Sequence, residues 1–256
     1  SAIGEQRELS DMSDRVRLDL ALEQRGLVQS RARARDAVLR GTVTINGAPA
    51  AKPSQMVGPG DSIALDDPAG GYVSRAALKL IAGLDAGGIA VAGKVCLDVG
   101  ASTGGFTQVL AERGAAKIYA VDVGRDQLHP QLQALGNVES LEGLNARDLT
   151  DRIIREPIDL LVCDVSFVSV TKVLGAPLAL CRPGADAVIL IKPQFEVGRD
   201  NIGKGGIVTD AAAIARARDD VVAFLARAGW SLRQALPSPI SGGGGNKEIV
   251  ALFRCG

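Results

Sequence analysis

The chain has 256 residues, enough for one large domain or for a small domain followed by a medium one. Hydrophobic residues make up 46% and charged ones 23%, with 29 basic side chains against 29 acidic, a composition that excludes an intrinsically disordered chain. No apolar run approaches the roughly 18–20 residues of a membrane helix, and four scattered cysteines without a CxxC pair exclude a disulfide framework and a zinc knuckle.

Residues 1–14 (SAIGEQRELSDMSD) lack the apolar core of a secretory signal and read as a flexible extension. A compact α+β piece is expected over 15–65. RVRLDLALEQRG carries Val16, Leu18, Leu20 and Leu22 among helix formers and predicts a helix ended by Gly26. Ser30 is placed to cap a second helix, RARARDAVLR, stopped by Gly41. TVTING then alternates with period two into Asn46-Gly47, a tight-turn signal, and GPGDSIAL adds a turn and a short strand.

Although the formal net charge is zero, from Arg15 to Lys52 eight basic residues stand against three acidic ones. A neutral chain with one basic lobe predicts a nucleic-acid docking module fused to something else. Arg15, Arg31, Arg33 and Arg35 are the candidate phosphate contacts; the last three, spaced by two, splay around the start of the second helix.

DDPAGG marks a linker over 66–72, and a different pattern follows over 73–256. Apolar strands (KVCLDVG, AKIYAVDV, VESLEGL, IDLLVC, DAVILIK, WSLRQAL and KEIVALFR) alternate with helical stretches, the longest being DAAAIARARDDVVAFLARAG. That alternation predicts a parallel sheet covered by helices on both faces, with the last two strands as an antiparallel hairpin at one edge. Cys96 and Cys163 fall inside the strands and read as buried thiols. His129, the single histidine, reads as a surface helix cap with no chemical role.

LDVGASTGGF is the most informative word. An apolar strand ends in Asp98 and runs through a loop of Gly100, Ser102, Thr103, Gly104 and Gly105 to Phe106, which opens a helix. In open α/β sheets the ligand crevice lies at such a strand end. A dinucleotide site would carry G-x-G-x-x-G, whereas this loop reads G-x-x-x-G-G behind a carboxylate suited to an ammonium. Asp122, closing the next strand, suits two ribose hydroxyls, and Asn145, after the third, suits an adenine edge. These residues favour S-adenosylmethionine over a nicotinamide cofactor, and no metal is expected.

Asp164 follows the fourth strand, Lys192 the fifth, Glu248 precedes the last, and Lys79 lies in the helical stretch SRAALKL. Any one of them alone reads equally well as the point where the chain meets water. Two cations and two anions around one crevice point instead to a reacting centre. Phe195, in KPQFE, is a candidate for stacking on a nucleotide or closing the pocket, with ordinary loop packing the alternative.

The order Lys79, Asp164, Lys192, Glu248 resembles the K-D-K-E tetrad of ribose 2′-O-methyltransferases with the FtsJ-like fold. The words YVSRAALKL, DVGASTGGFT, VCDVSFVS, IKPQFEVG and GKGGIVTD resemble the TlyA (hemolysin A) family, and the segment from RLDLALEQRG to GPGDSI resembles the S4 RNA-binding domain that this family carries at its N-terminus. The resemblance spans 15–254. It implies a Rossmann-like class I methyltransferase domain with a seven-stranded, mostly parallel sheet behind an S4 domain. It further implies transfer of a methyl group from S-adenosylmethionine to the 2′-hydroxyl of a cytidine in ribosomal RNA. Scattered cysteines and the lack of a signal or membrane segment fit a cytoplasmic protein, and a monomer is expected. Asp164 would serve both the tetrad and the cofactor. A chain that stops soon after its last strand leans toward the large-subunit RNA alone. The rival readings are a non-catalytic RNA-binding assembly factor and a membrane-active hemolysin; the latter finds no basic amphipathic helix with a broad aromatic face.

Overall fold

The computed structural model describes residues 14–256, so the expected N-terminal extension falls, apart from Asp14, outside the described residues. The chain divides into two compact units, 1–71 and 72–256.

The small unit begins with β1 (Val16–Arg17), α1 (Leu18–Gln24) and α2 (Arg31–Leu39), and continues through β2 (Val43–Ile45), β3 (Ala48–Pro49), β4 (Met56–Val57) and β5 (Ile63–Leu65). The first helix starts three residues later than its sequence suggests, because Val16 and Arg17 pair with Val57 and Met56 as an antiparallel ladder. The face that α1 buries is Leu18, Ala21 and Leu22, a true i, i+3, i+4 set; the i, i+2 run of Val16, Leu18, Leu20 and Leu22 mixes strand and helix periods. Ser30 caps α2 as expected, its Oγ accepting from the Arg33 amide at 3.3 Å. Asn46 and Gly47 both take positive φ (51° and 82°), making the tight turn between β2 and β3.

The basic lobe is partly neutralised from within. Arg17 holds the buried Asp19 carboxylate through two bonds of 3.0 and 2.8 Å, and Arg31 reaches the same carboxylate at 3.5 Å. The hydrogen bonds from Arg17 bring the Asp19 carboxyl down to about 2. Arg40 bridges Asp36 and Asp67 at 2.9 and 2.7 Å. Arg31, expected as a free phosphate contact, is therefore also a structural partner of Asp19.

The large unit runs through α3 (Ala77–Gly87), β6 (Val95–Val99), α4 (Gly105–Glu112), β7 (Lys117–Asp122), α5 (Pro130–Gln133), β8 (Val138–Glu142) and β9 (Ile158–Cys163). It continues with α6 (Gly175–Ala179), β10 (Cys181–Ile191), α7 (Pro193–Glu196), α8 (Ala211–Arg227), β11 (Trp230–Pro237) and β12 (Ile249–Cys255). The strands form one seven-stranded sheet in the order β11-β12-β10-β9-β6-β7-β8. β12 alone runs against its neighbours, so the expected edge hairpin inserts its second strand beside β10 and leaves β11 outermost.

Strand alternation sorts the core into two layers. Leu97, Val99, Leu161, Cys163, Ile189 and Ile191 pack with Val221 and Leu225 of α8. Cys96, Leu160, Val162, Val188 and Leu190 pack with Leu80 and Leu84 of α3 and Phe106 and Val109 of α4. The long α8 is capped by Asp210 and buries Ala213, Ala217, Val221 and Leu225, one stripe at i, i+4 spacing. Burial pushes the Cys96 thiol up to about 12, which leaves it an inert apolar filler. His129 is a helix cap, its Nδ1 accepting from the Gln131 amide at 3.2 Å. Among the described residues no helix is long and apolar enough to cross a membrane.

Candidate active site

The carboxyl ends of β6, β7, β9 and β10 open onto one side of the sheet, where two cavities lie. The larger, about 540 Å³, is lined by Gly100, Ser102, Asp122, Val123, Asn145, Asp164 and Ser166, among others. The smaller, about 150 Å³, is lined by Ser74, Gly100, Ser102, Thr103, Gly105, Phe106, Asp164, Ser166 and Lys192, among others. Gly100, Ser102, Asp164 and Ser166 belong to both walls, so the two spaces meet there.

The loop after β6 is shaped by backbone geometry. Gly100 has φ +83°, and a Cβ there would collide with the Asp164 carbonyl oxygen. Gly104 has φ +107°, a conformation side chains rarely adopt, and packs against the methyl ends of Leu132 and Leu128. Ser102 also takes a left-handed conformation (φ 50°), and its amide donates to Asp122 Oδ2 at 2.8 Å. The other Asp122 oxygen accepts from the Gly124 amide at 2.8 Å. Each carboxylate oxygen keeps lone-pair capacity for a second donor. Asn145 caps the short turn Ala146–Asp148 through Oδ1, which accepts from the Arg147 amide at 3.1 Å.

Asp98 departs from expectation. It shares a sheet face with Cys96, beneath α4, is fully buried, and lines neither cavity. Its position one residue before the strand end turns it away from the crevice by simple alternation. Thr107 Oγ1 donates to its Oδ2 at 2.7 Å, whereas Oδ1 has no hydrogen-bond partner. Burial pushes its carboxyl up to about 7, against the opposing effect of the Thr107 bond and with help from the negative charges of Asp164 and Asp122.

The four charged residues converge. Lys79 Nζ lies 2.6 Å from Glu248 Oε2 and 4.0 Å from Asp164 Oδ2. Lys192 Nζ lies 2.5 Å from Asp164 Oδ1 and donates to Ser166 Oγ at 3.0 Å. Lys79, Lys192 and Glu248 are buried, and Asp164 is half-buried at the mouth. Two cations and two anions thus form one neutral chain of contacts, which limits the cost of removing them from water.

This architecture agrees with the similarities of the sequence. A family model described as FtsJ-like methyltransferase matches residues 72–255, and one described as S4 domain matches residues 16–63. A Mycobacterium tuberculosis protein named 16S/23S rRNA (cytidine-2′-O)-methyltransferase TlyA is 44% identical over 246 residues, spanning 95% of this chain and 91% of that one. The chain belongs to the TlyA family.

Other relatives fit that placement. The Campylobacter jejuni 23S rRNA (cytidine-2′-O)-methyltransferase TlyA is 41% identical over 185 residues, 71% of this chain and 70% of its own. A solved structure of a hemolysin-named protein from Streptococcus thermophilus shares 35% identity and a TM-score of 0.74, covering 94% of this chain and 89% of that one. Relatives of both the two-subunit and the large-subunit type are thus similar to this TlyA-family protein.

Several site residues of this TlyA-family chain are not evident as such from its sequence. Ser166 and Phe167 follow Asp164; Phe167 is 90% exposed with φ +66°, and its ring centroid lies 5.1 Å from that of Phe195. Phe195 is accordingly half of an aromatic pair. A phenylalanine four residues beyond a strand end was the available signal. Gln194 donates to Glu248 Oε1 at 3.4 Å. Asn246 is buried and clasps two glycine-rich loops: Oδ1 accepts from the Val208 amide at 3.0 Å, and Nδ2 donates to the Gly206 and Gly243 carbonyls at 2.9 and 3.3 Å. The Gly242 backbone packs against the Glu248 carboxylate, which a Cβ there would strike.

Proposed function

We propose that this protein transfers a methyl group from S-adenosylmethionine to the ribose 2′-hydroxyl of a cytidine in ribosomal RNA. The observation that carries the reading is the Lys192 amino group in the wall of the smaller cavity, held by Asp164 and Ser166, which line both cavities.

The larger cavity has the size and lining of a small-ligand site. Asp122 is placed for the ribose hydroxyls, Asn145 for the adenine edge, and the Gly100–Gly105 loop for close backbone approach. Phe106 and Thr103 close the smaller cavity beside Gly105. When bound, S-adenosylmethionine supplies an electrophilic methyl group on a sulfonium. Asp98, buried under α4, supports the loop through Thr107.

A ribose hydroxyl is a weak nucleophile, so the protein's contribution is alignment and an exit for the proton. A lysine ammonium has three N–H donors. With one N–H bonded to Ser166 and the Asp164 carboxylate as its ion-pair partner, Lys192 presents a remaining N–H to the 2′-oxygen and orients the lone pair that attacks. Lys79, held by Glu248, keeps Asp164 in position from its other side. The hydroxyl proton leaves to water through the open mouth of the cavity. Phe167 and Phe195 offer an aromatic face next to this point, suited to stacking on an unpaired base. The S4-like unit supplies affinity for the RNA backbone, with Arg15, Arg33 and Arg35 as contacts and Arg31 as a dual-purpose residue.

Incubation with radiolabelled S-adenosylmethionine and separated ribosomal subunits tests the substrate assignment. Label should appear on a cytidine ribose, mapped by its block to reverse transcription at low nucleotide concentration. Label on one subunit or both decides the target range. Label confined to a base, or found in neither subunit despite measured cofactor binding, would contradict the assignment.

A further inference from the structure

We infer that Ser166 is a positioning residue for methyl transfer: its hydroxyl fixes the direction in which Lys192 presents its remaining N–H. The inference rests on the reading of Lys192 given above and adds a fifth residue to the four charged ones.

The placement follows from the sheet. β9 and β10 are parallel neighbours with Ala187 opposite Leu161, Val188 opposite Val162 and Ile189 opposite Cys163. Carrying that register three residues further brings Lys192 level with Ser166. Ser166 lies three residues past the end of β9 and Lys192 one past the end of β10, and Lys192 Nζ donates to Ser166 Oγ at 3.0 Å. Just beyond, Phe167 takes a left-handed conformation (φ 66°), which an L side chain adopts at a cost. The turn sends the chain away immediately after Ser166, leaving its hydroxyl with Lys192 and the Phe167 ring in solvent.

Nζ is held by Cε, so one directed hydrogen bond sets the rotation of the –NH₃⁺ group. The Asp164 contact is an ion pair at 2.5 Å whose Oδ1 accepts no hydrogen bond, so the bond to Ser166 Oγ is the one that sets that rotation. Each remaining N–H then has one direction, and Ser166 stands in the wall shared by the two cavities, where the methyl donor and the ribose must meet. Misplacement of a reacting atom by about 1 Å can cost about a hundredfold in rate, so losing this constraint acts on the chemical step. Ser166 itself is exposed, so its replacement leaves no hole in the core.

The test compares Ser166→Ala, Ser166→Cys and Ser166→Thr in the full-length protein, measuring cofactor Kd, RNA KM and kcat on the ribosomal substrate of the wild type. The alanine and cysteine variants should lose about ten- to a hundredfold in kcat, with Kd and KM held within about twofold, because an interaction that orients the transition state is missing. Threonine, which keeps the hydroxyl, should recover most of that rate. An unchanged kcat in Ser166→Ala would overturn the inference. So would recovery by cysteine, failure of recovery by threonine, or a parallel loss of cofactor and RNA binding. Absence of transfer by the wild-type protein on any ribosomal substrate would overturn the methyl-transfer reading beneath it, a different failure from any of these.

Discussion

Lys79 and Glu248, 169 residues apart in the chain, meet in a buried ion pair with Nζ 2.6 Å from Oε2. The pair ties the first helix of the catalytic unit to the start of its last strand, and so couples the site to the assembly of the whole sheet. Removing one partner leaves a buried charge that Asp164, 4.0 Å from Lys79, only partly compensates. Glu248→Ala is expected to cost about 3–5 kcal/mol of stability, and adding Lys79→Met to recover a large part of it. Denaturant titration of the two single variants and the double one measures the coupling. Additive losses would mean that the pair is energetically idle.

The left-handed Phe167 is a site where function opposes stability. It is 90% exposed, so its ring contributes little burial, while φ 66° imposes strain that glycine does not feel. Phe167→Gly should raise stability by about 1 kcal/mol and lower RNA methylation, with cofactor affinity retained. Thermal melts and single-turnover transfer read the two effects separately. A melting temperature that falls along with activity would contradict this account.

Asp98 gives the protein a pH signature. Burial raises its carboxyl to about 7 in the folded protein, against about 3.9 in an unfolded chain. Between those values the folded state binds the extra proton, so the Asp98 contribution to stability is complete below about pH 4 and declines as pH rises toward about 7. Asp98→Asn should flatten that decline and be relatively more stable at pH 8. Chemical denaturation of both proteins from pH 4 to 8 tests the sign; parallel profiles would refute it.

On the small unit, Arg31 and Arg35 are expected to behave differently. Arg35 is exposed on α2, whereas Arg31 lies 3.5 Å from buried Asp19. Arg35→Glu should weaken RNA binding and reduce its salt dependence without altering stability. Arg31→Glu should weaken binding and also destabilise the unit, because it sets a second carboxylate beside Asp19. RNA affinity at several salt concentrations, with melting curves for each variant, separates the two. Equal stability of the variants would argue against a structural share for Arg31.

Much of this was legible in the sequence, and the rest was not for identifiable reasons. The strands from KVCLDVG to KEIVALFR stand out because their apolar runs are bounded by turns, and Asp164, Lys192 and Glu248 fall at their ends. Asp98 misled because a strand-end carboxylate looks the same whether it faces the crevice or the helix layer; one step of alternation decides, and the boundary is known only to within a residue or two. The start of α1 misled because Val16 and Leu18 share an apolar character but not an element. Ser166 and Asn246 are invisible to pattern because Ser166 acts through a hydrogen bond across 26 residues of chain and Asn246 through bonds across 38 and 40.

The most direct test of the central claim is Lys192→Ala, assayed for single-turnover transfer with cofactor binding measured alongside. The account predicts that label on the cytidine ribose falls below detection while cofactor Kd stays close to that of the wild type. Substantial transfer by the variant, with binding intact, would mean that Lys192 does not hold the attacking oxygen.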